Sequence, residues 1–227
     1  MRRSTVTDPR RWLRRAAAVG VAGLLALAIS APGAHAQGTA AEWPALIRRY
    51  EEQVARTPSD PTTRFTLAML YAREGRLLDG YKQLQEADRA AGPARRLPLA
   101  RQIAREAEDL LRRNPHDLLA RYRLAFARHF LGDHAGSAAE LERVVAAEPR
   151  NDWGYGYLGQ AYATLGQLDR AIATWERGLV VNPNNAVLHY VLGLAYSKKD
   201  DKKKAAAHLA AAYRDRTLYD YVTGNRR

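Results

Sequence analysis

The chain has 227 residues, a formal charge of +12 and no cysteine. That excludes disulfides, thiolate metal sites and a lipid anchor on an N-terminal cysteine. Much of the charge is local: six arginines and one aspartate precede residue 37, and without them the balance is +7.

Residues 1–36 read as an export signal. Arg2, Arg3, Arg10, Arg11, Arg14 and Arg15 precede an apolar run over residues 16–29, and Ala34, His35 and Ala36 supply a small-residue cleavage site. The run is shorter than the roughly 20 residues that span a bilayer as a helix. Cleavage would leave Gln37 first and the protein periplasmic or extracellular; the alternative is an uncleaved anchor that tethers the rest to the inner membrane, outside the cytoplasm. Residues 37–60 hold one lone helix, with Leu46, Ile47, Tyr50 and Val54 at helical spacing and Pro58 beyond its end.

From residue 61 a repeat takes over. Leu124, Leu158 and Leu192 stand 34 residues apart, and Leu67 opens an earlier copy 57 residues before the first of them. In the later copies the eighth position is small (Ala125, Gly159, Gly193), the twentieth is small (Ser137, Ala171, Ala205) and the twenty-fourth is bulky (Leu141, Trp175, Leu209). Small faces large when two helices of a hairpin approach closely. Gly132 and Gly166 suit the left-handed turn between the helices, where the last copy carries Asp200, and Pro149 and Pro183 close the second helix. The copies occupy 61–94, 118–151, 152–185 and 186–217. Between the first two, residues 95–117 read as one inserted helix with Ile103, Ala107, Leu110 and Leu111 on its buried face. Residues 218–227 form an apolar tail that would cap the last hairpin or fold back.

The pattern Tyr155-x-x-Leu158-Gly159-x-x-Tyr162, followed by Gly166, Ala171, Trp175, Gly178 and Pro183, resembles the tetratricopeptide repeat family. The resemblance covers residues 43 to 215, with Arg128 in place of the usual tyrosine of the second copy and Gly80 in place of an alanine of the first. It implies an all-α fold, a right-handed superhelical array of antiparallel helix hairpins. It also implies a concave groove that binds a protein or peptide, and no chemistry of its own.

In that architecture the first helix of each hairpin lines the groove. The side chains expected there are Phe65, Met69, Tyr122, Phe126, His129, Trp153, Gln160, Tyr190 and Leu194, with Phe130 beside them. Two readings of the rings stay open: an apolar trough for a partner's segment, or core covered by neighbouring repeats. Gly154 and Gly156 likewise read either as a notch in the groove floor or as glycines tolerated near a helix start. The lysine, asparagine and arginine set of a carboxylate clamp is absent.

Chemistry has no signature. No histidine pair sits at helical ligand spacing with an acid beside it, and no nucleophile elbow, phosphate loop or dinucleotide fingerprint occurs. His189 and His208 belong to paired helices and could meet, as a packed pair or as ligands. The basic runs, Arg95 to Arg113 and Lys198 to Lys204, read as solvated faces or as attraction to anionic headgroups or an acidic partner. Lacking interleaved aromatics, they do not suit nucleic acid. The expectation is therefore a non-enzymatic, cofactor-free exported scaffold that binds a protein or peptide for assembly or tethering of an envelope complex. The rival is a membrane-surface protein held by its anchor and basic loops. The partner's identity and the oligomeric state are not encoded in any motif.

Overall fold

The structure is a computed structural model in which residues 42–223 are described. The expected export signal lies outside them. Among the described residues every regular element is helical, and no helix is long and apolar enough to cross a membrane.

The helices are α1 (Glu42–Arg56), α2 (Pro61–Arg73), α3 (Leu77–Ala91), α4 (Arg96–Arg113), α5 (Leu118–Phe130), α6 (His134–Ala147), α7 (Asp152–Thr164), α8 (Leu168–Val181), α9 (Ala186–Lys198), α10 (Lys202–Ala212) and α11 (Arg216–Thr223). One 3-10 turn, Pro93–Arg95, joins α3 to α4. Hairpins α2/α3, α5/α6, α7/α8 and α9/α10 are the four repeats.

Each hairpin's first helix starts at the same signal, an aspartate or asparagine two residues after a proline. The side chains of Asp60, Asp117, Asn151 and Asn185 accept hydrogen bonds from main-chain N–H groups of the first turn. Each hairpin turns on a positive φ: +75° at Gly75, +83° at Gly132 and +76° at Gly166, with Asp200 at +60° in the last. Glycine adopts that region without a Cβ penalty; aspartate is among the few other residues that enter it.

The two lone helices stand in register with the rest. Tyr71, Tyr162 and Tyr196, at the same place in three repeats, each donate a hydroxyl hydrogen bond to a glutamate twenty residues earlier: Glu51, Glu142 and Glu176. Glu142 and Glu176 lie on the second helices of preceding hairpins, and Glu51 lies on α1. Arg128 fills the tyrosine slot of the second repeat and reaches Glu108 of α4 at 3.1 Å, again twenty residues back. Thus α1 and α4 each hold the place of a second helix, with no first helix paired to either among the described residues. At α4, Ile103 and Ala107 are completely buried as the sequence implies, whereas Leu110 is exposed.

One first helix is missing between α3 and α4, and there the stack opens into a cleft of about 540 Å³ lined by Leu84, Ala87, Leu99, Ile103, Phe65 and Phe130. The buried residues form two cores. One joins α1 and α2 to α4 and α5; the other runs from α5 to α11. Leu218 of α11 is 1% exposed, so the C-terminal segment caps the last hairpin, and its helix begins at Arg216, two residues earlier than the expected tail.

Candidate protein-binding face

The first helices of the four hairpins, α2, α5, α7 and α9, are those expected to line a concave side. Of the nine side chains expected to line it, Phe65, Met69, Tyr122, Trp153 and Tyr190 are buried, and Phe126, His129, Gln160 and Leu194 are half-buried. An open aromatic trough is therefore not what the chain presents at the first five positions.

The physical reason is α2. It packs against α5 and reaches α7, two repeats on. Phe65 meets Phe130 edge to face with ring centres 5.8 Å apart. Eight residues further along the same face, the Arg73 guanidinium pairs with Glu148, at the end of α6. Trp43 of α1 follows it in, its ring 4.2 Å from the Arg73 guanidinium and 6.3 Å, edge to face, from Tyr122. Beyond Arg73 the chain turns at Gly75, against the indole of Trp153. The far end is covered differently, Tyr190 sitting 6.5 Å from Tyr213.

The contact is anchored by a buried polar cluster. The Tyr122 hydroxyl donates to Glu148 Oε2 at 3.1 Å, and Asn151 Nδ2 donates both to that hydroxyl at 3.0 Å and to Glu148 Oε2 at 3.2 Å. Burial, reinforced by the Glu148 carboxylate, pushes the Tyr122 phenol well above its ordinary range. A carboxylate so placed satisfies its charge through Arg73, and removing one partner of such a pair leaves the other exposed to the full desolvation cost. Sequence reasoning missed Arg73, Glu148 and Asn151. The available signal was that an arginine ends the apolar run over residues 67–72.

What stays open is a strip of first-helix residues: Phe126, His129, Gly156, Gln160 and Leu194. Phe126 packs edge to face on Tyr157, ring centres 4.8 Å apart. Between the second and third repeats, Phe126, His129, Tyr157 and Gln160 line a notch of about 20 Å³, room for about one water. The Tyr157 hydroxyl is buried without a hydrogen-bond partner among the described residues, as is His134 Nδ1. Burial, with the nearby His134, pulls His129 down to about 4, so its imidazole is neutral near pH 7 and can donate or accept.

Gly156 and Gly154 differ in what holds them. A Cβ on Gly154 would meet Val145 at 3.1 Å, a tight approach between helices, whereas one on Gly156 would meet only Leu188 at 3.4 Å. The carbonyl of Gly156 accepts the Trp175 indole N–H at 3.1 Å.

His189 and His208 do meet, Nδ1 to Nδ1 at 3.0 Å, and His189 Nε2 lies 2.9 Å from the Pro183 carbonyl. The His208 ring stacks on Tyr196. The pair thus ties α9 to α10. Among the described residues no group of three or more histidines, aspartates and glutamates is placed to hold a metal ion.

Paired helices stacked in a 34-residue register define a helical-hairpin solenoid, a scaffold class whose extended concave surfaces serve binding. A family model described as TPR repeat matches residues 159–200. Cellulose synthase 2 operon protein C of Komagataeibacter xylinus is 32% identical over 164 residues, covering 66% of this chain and 12% of that protein. The chain spans about an eighth or less of the length of the curated relatives it matches. Among solved structures, MamA from Desulfovibrio magneticus RS-1 is 23% identical at a TM-score of 0.48, covering 76% of this chain and 84% of that one. YrrB, described as a TPR protein with an unusual peptide-binding site, is 16% identical at a TM-score of 0.48, covering 79% and 98%. Residues 159–200 thus carry a tetratricopeptide repeat, and the array of helix hairpins around them is an all-α solenoid of that kind, a protein-interaction fold that is generally non-enzymatic.

Proposed function

We propose that the protein is an exported scaffold that holds a segment of a protein partner on the open strip of its concave face, for assembly or tethering of an envelope complex. The observation that carries this reading is the strip itself. Phe126, Gln160 and Leu194 occupy one helix position in three successive repeats, all half-buried, so a bound segment would meet side chains at regular intervals. Beside them the neutral His129 offers a specific hydrogen bond. Binding sites of this kind combine apolar contact with few polar groups that fix orientation.

The strip is modest in area. Covering about 200 Å² of apolar surface would contribute about 5 kcal/mol at ~25 cal/mol per Å², against an association cost of at least ~4 kcal/mol. Recognition therefore needs hydrogen bonds or charge in addition. Export rests on the arginine-rich, apolar leader and the cleavage site at Ala36.

A photo-crosslinking residue at Gln160, in the native envelope, tests the strip: one stoichiometric protein adduct, lost on Leu194→Asp, is the expected result. A uniform adduct pattern indistinguishable from one placed at Val180, which is 84% exposed on α8, would overturn it. N-terminal sequencing of the protein from cells tests export; Gln37 at the start removes the anchored rival, and an intact leader supports it.

A further inference from the structure

Three features lie outside the strip: the cleft between α3 and α4, the His189–His208 pair, and the seat of α2 on α5 and α7. Several independent contacts converge on the last. We propose that this seat is a receptor for a helix, that the chain's own α2 now occupies it as an internal competitor, and that the partner it fits is a helix with an aromatic residue and, eight positions on, a guanidinium. The proposal deepens the reading of the protein as a scaffold for a partner's segment.

The occupant defines the ligand. Residues three or four apart on a helix share a face, and Phe65, Met69, Ala72 and Arg73 lie on such a stripe. Phe65 meets Phe130 and Arg73 meets Glu148; Met69 shares a core with Tyr122, and Ala72 shares one with Trp153. The expectation from sequence made Phe65 and Met69 part of a groove wall; in the structure they are the face that fills a groove.

Charge complementarity sets the specificity. Were α2 to leave, Glu148 would keep the Tyr122 hydroxyl and Asn151 as donors but would lose its cation. A planar guanidinium matches a carboxylate better than an ammonium does. A helix without a cation at that position would leave the carboxylate unpaired, which is a strong basis for rejection.

The route for release is also visible. The covalent link from the N-terminal unit to the rest runs through Gly92, at φ +71° with nothing within 4 Å of where a Cβ would stand, and the 3-10 turn that follows, while the core shared by α1, α2, α4 and α5 holds the unit in place. Across that joint the stack is already open, because the cleft separates α3 from α4. The ion pair that spans it, Arg96 with Asp88, is solvent-exposed and contributes little.

The test uses a fluorescein-labelled synthetic peptide of residues 60–76 as the probe, titrated by anisotropy onto the full chain. Receptors are the wild type, Arg73→Ala, and Arg73→Ala combined with Glu148→Arg. The peptide should bind the Arg73→Ala chain at least tenfold more tightly than the wild type, whose own α2 competes. The double variant should lose this binding, as should a peptide carrying Arg73→Glu. Equal binding to wild type and Arg73→Ala, or binding indifferent to the peptide's arginine, would overturn the proposal. If circular dichroism shows Arg73→Ala unfolded, Phe65→Ala loosens the other end of α2 and carries the same expectations. A Gln160 crosslink that persists while the peptide fails removes the helix receptor alone; loss of that crosslink with peptide binding intact removes the strip alone.

Discussion

A single methyl group at Gly159 tests whether the small-against-large pairing inside a hairpin sets the stability of the array. Alanine is favoured over glycine within a helix by about 1 kcal/mol, so the substitution on an isolated α7 would stabilise it. In the fold the new Cβ would stand 2.3 Å from Trp175 Nε1, 2.5 Å from Cδ1 and 2.8 Å from Cε2. Those atoms belong to a ring that is 4% exposed and whose N–H donates to the Gly156 carbonyl at 3.1 Å, so the indole has to shift as a body. Overpacking of this kind costs about 1–3 kcal/mol, and displacement of the indole from its acceptor adds about 1–3 kcal/mol for a buried unpaired donor. The net effect is a destabilisation of roughly 1–5 kcal/mol, or a fall in Tm of roughly 2–20 °C for a chain of this size. Gly156→Ala is the internal control. Its Cβ meets only Leu188 at 3.4 Å, so the helix-propensity gain survives and stability should hold or rise by up to ~1 kcal/mol. Thermal melts followed at 222 nm and by near-ultraviolet dichroism of the tryptophans measure both. A Gly159→Ala protein as stable as the wild type, or an equal loss from both substitutions, would refute the argument that close helix approach fixes position eight.

Three further outcomes are expected. Asp200→Gly should stabilise by about 0.5–1 kcal/mol, because Asp200 stands at φ +60° where other repeats use glycine; a chemical denaturation midpoint that falls would contradict it. Asn185→Ala should destabilise by about 2–3 kcal/mol, since the completely buried amide accepts from Val187 and Leu188 N–H and donates to Asp152 Oδ2 at 2.8 Å; a loss within the error of the melt would contradict that. For His129, the folded state holds the imidazole down to about 4 from 6.5, so the unfolded chain binds the extra proton first. Stability should therefore be lost as the pH falls from about 6.5 to about 4, by roughly 1–2 kcal/mol after solvent screening. The His129→Gln protein should show a shallower slope over that window, and an unchanged slope would rule the group out as its source.

The all-α hairpin array was legible because its determinants recur. Proline followed two residues later by a capping aspartate or asparagine, a glycine at the turn, and a small residue facing a large one each appear several times in phase. Even the departures were interpretable. Gly80 stands where a Cβ would come 2.8 Å from the Ala68 carbonyl, so the first hairpin is too close even for alanine. Arg128 keeps the tie that tyrosine makes elsewhere, reaching Glu108 in place of a hydroxyl. The period of the glutamates, Glu51, Glu108, Glu142 and Glu176, was equally present in the chain and would have marked α1 and α4 as second helices.

The site was less legible, for a reason that belongs to solenoids in general. Periodicity fixes contacts between neighbouring helices, whereas the fate of a concave residue depends on superhelical curvature and on what crosses the mouth of the groove. Arg73 and Glu148 are 75 residues apart, and no repeat-level rule couples them. The missing first helix between α3 and α4 brings α2 next to α5, so that Phe65 and Met69, expected to face a ligand, pack on the next repeat instead. The same aromatic residues that would greet a partner in a regular array thus become core in this one, and the recognition we propose rests on the half-buried strip and on the carboxylate that α2 now satisfies.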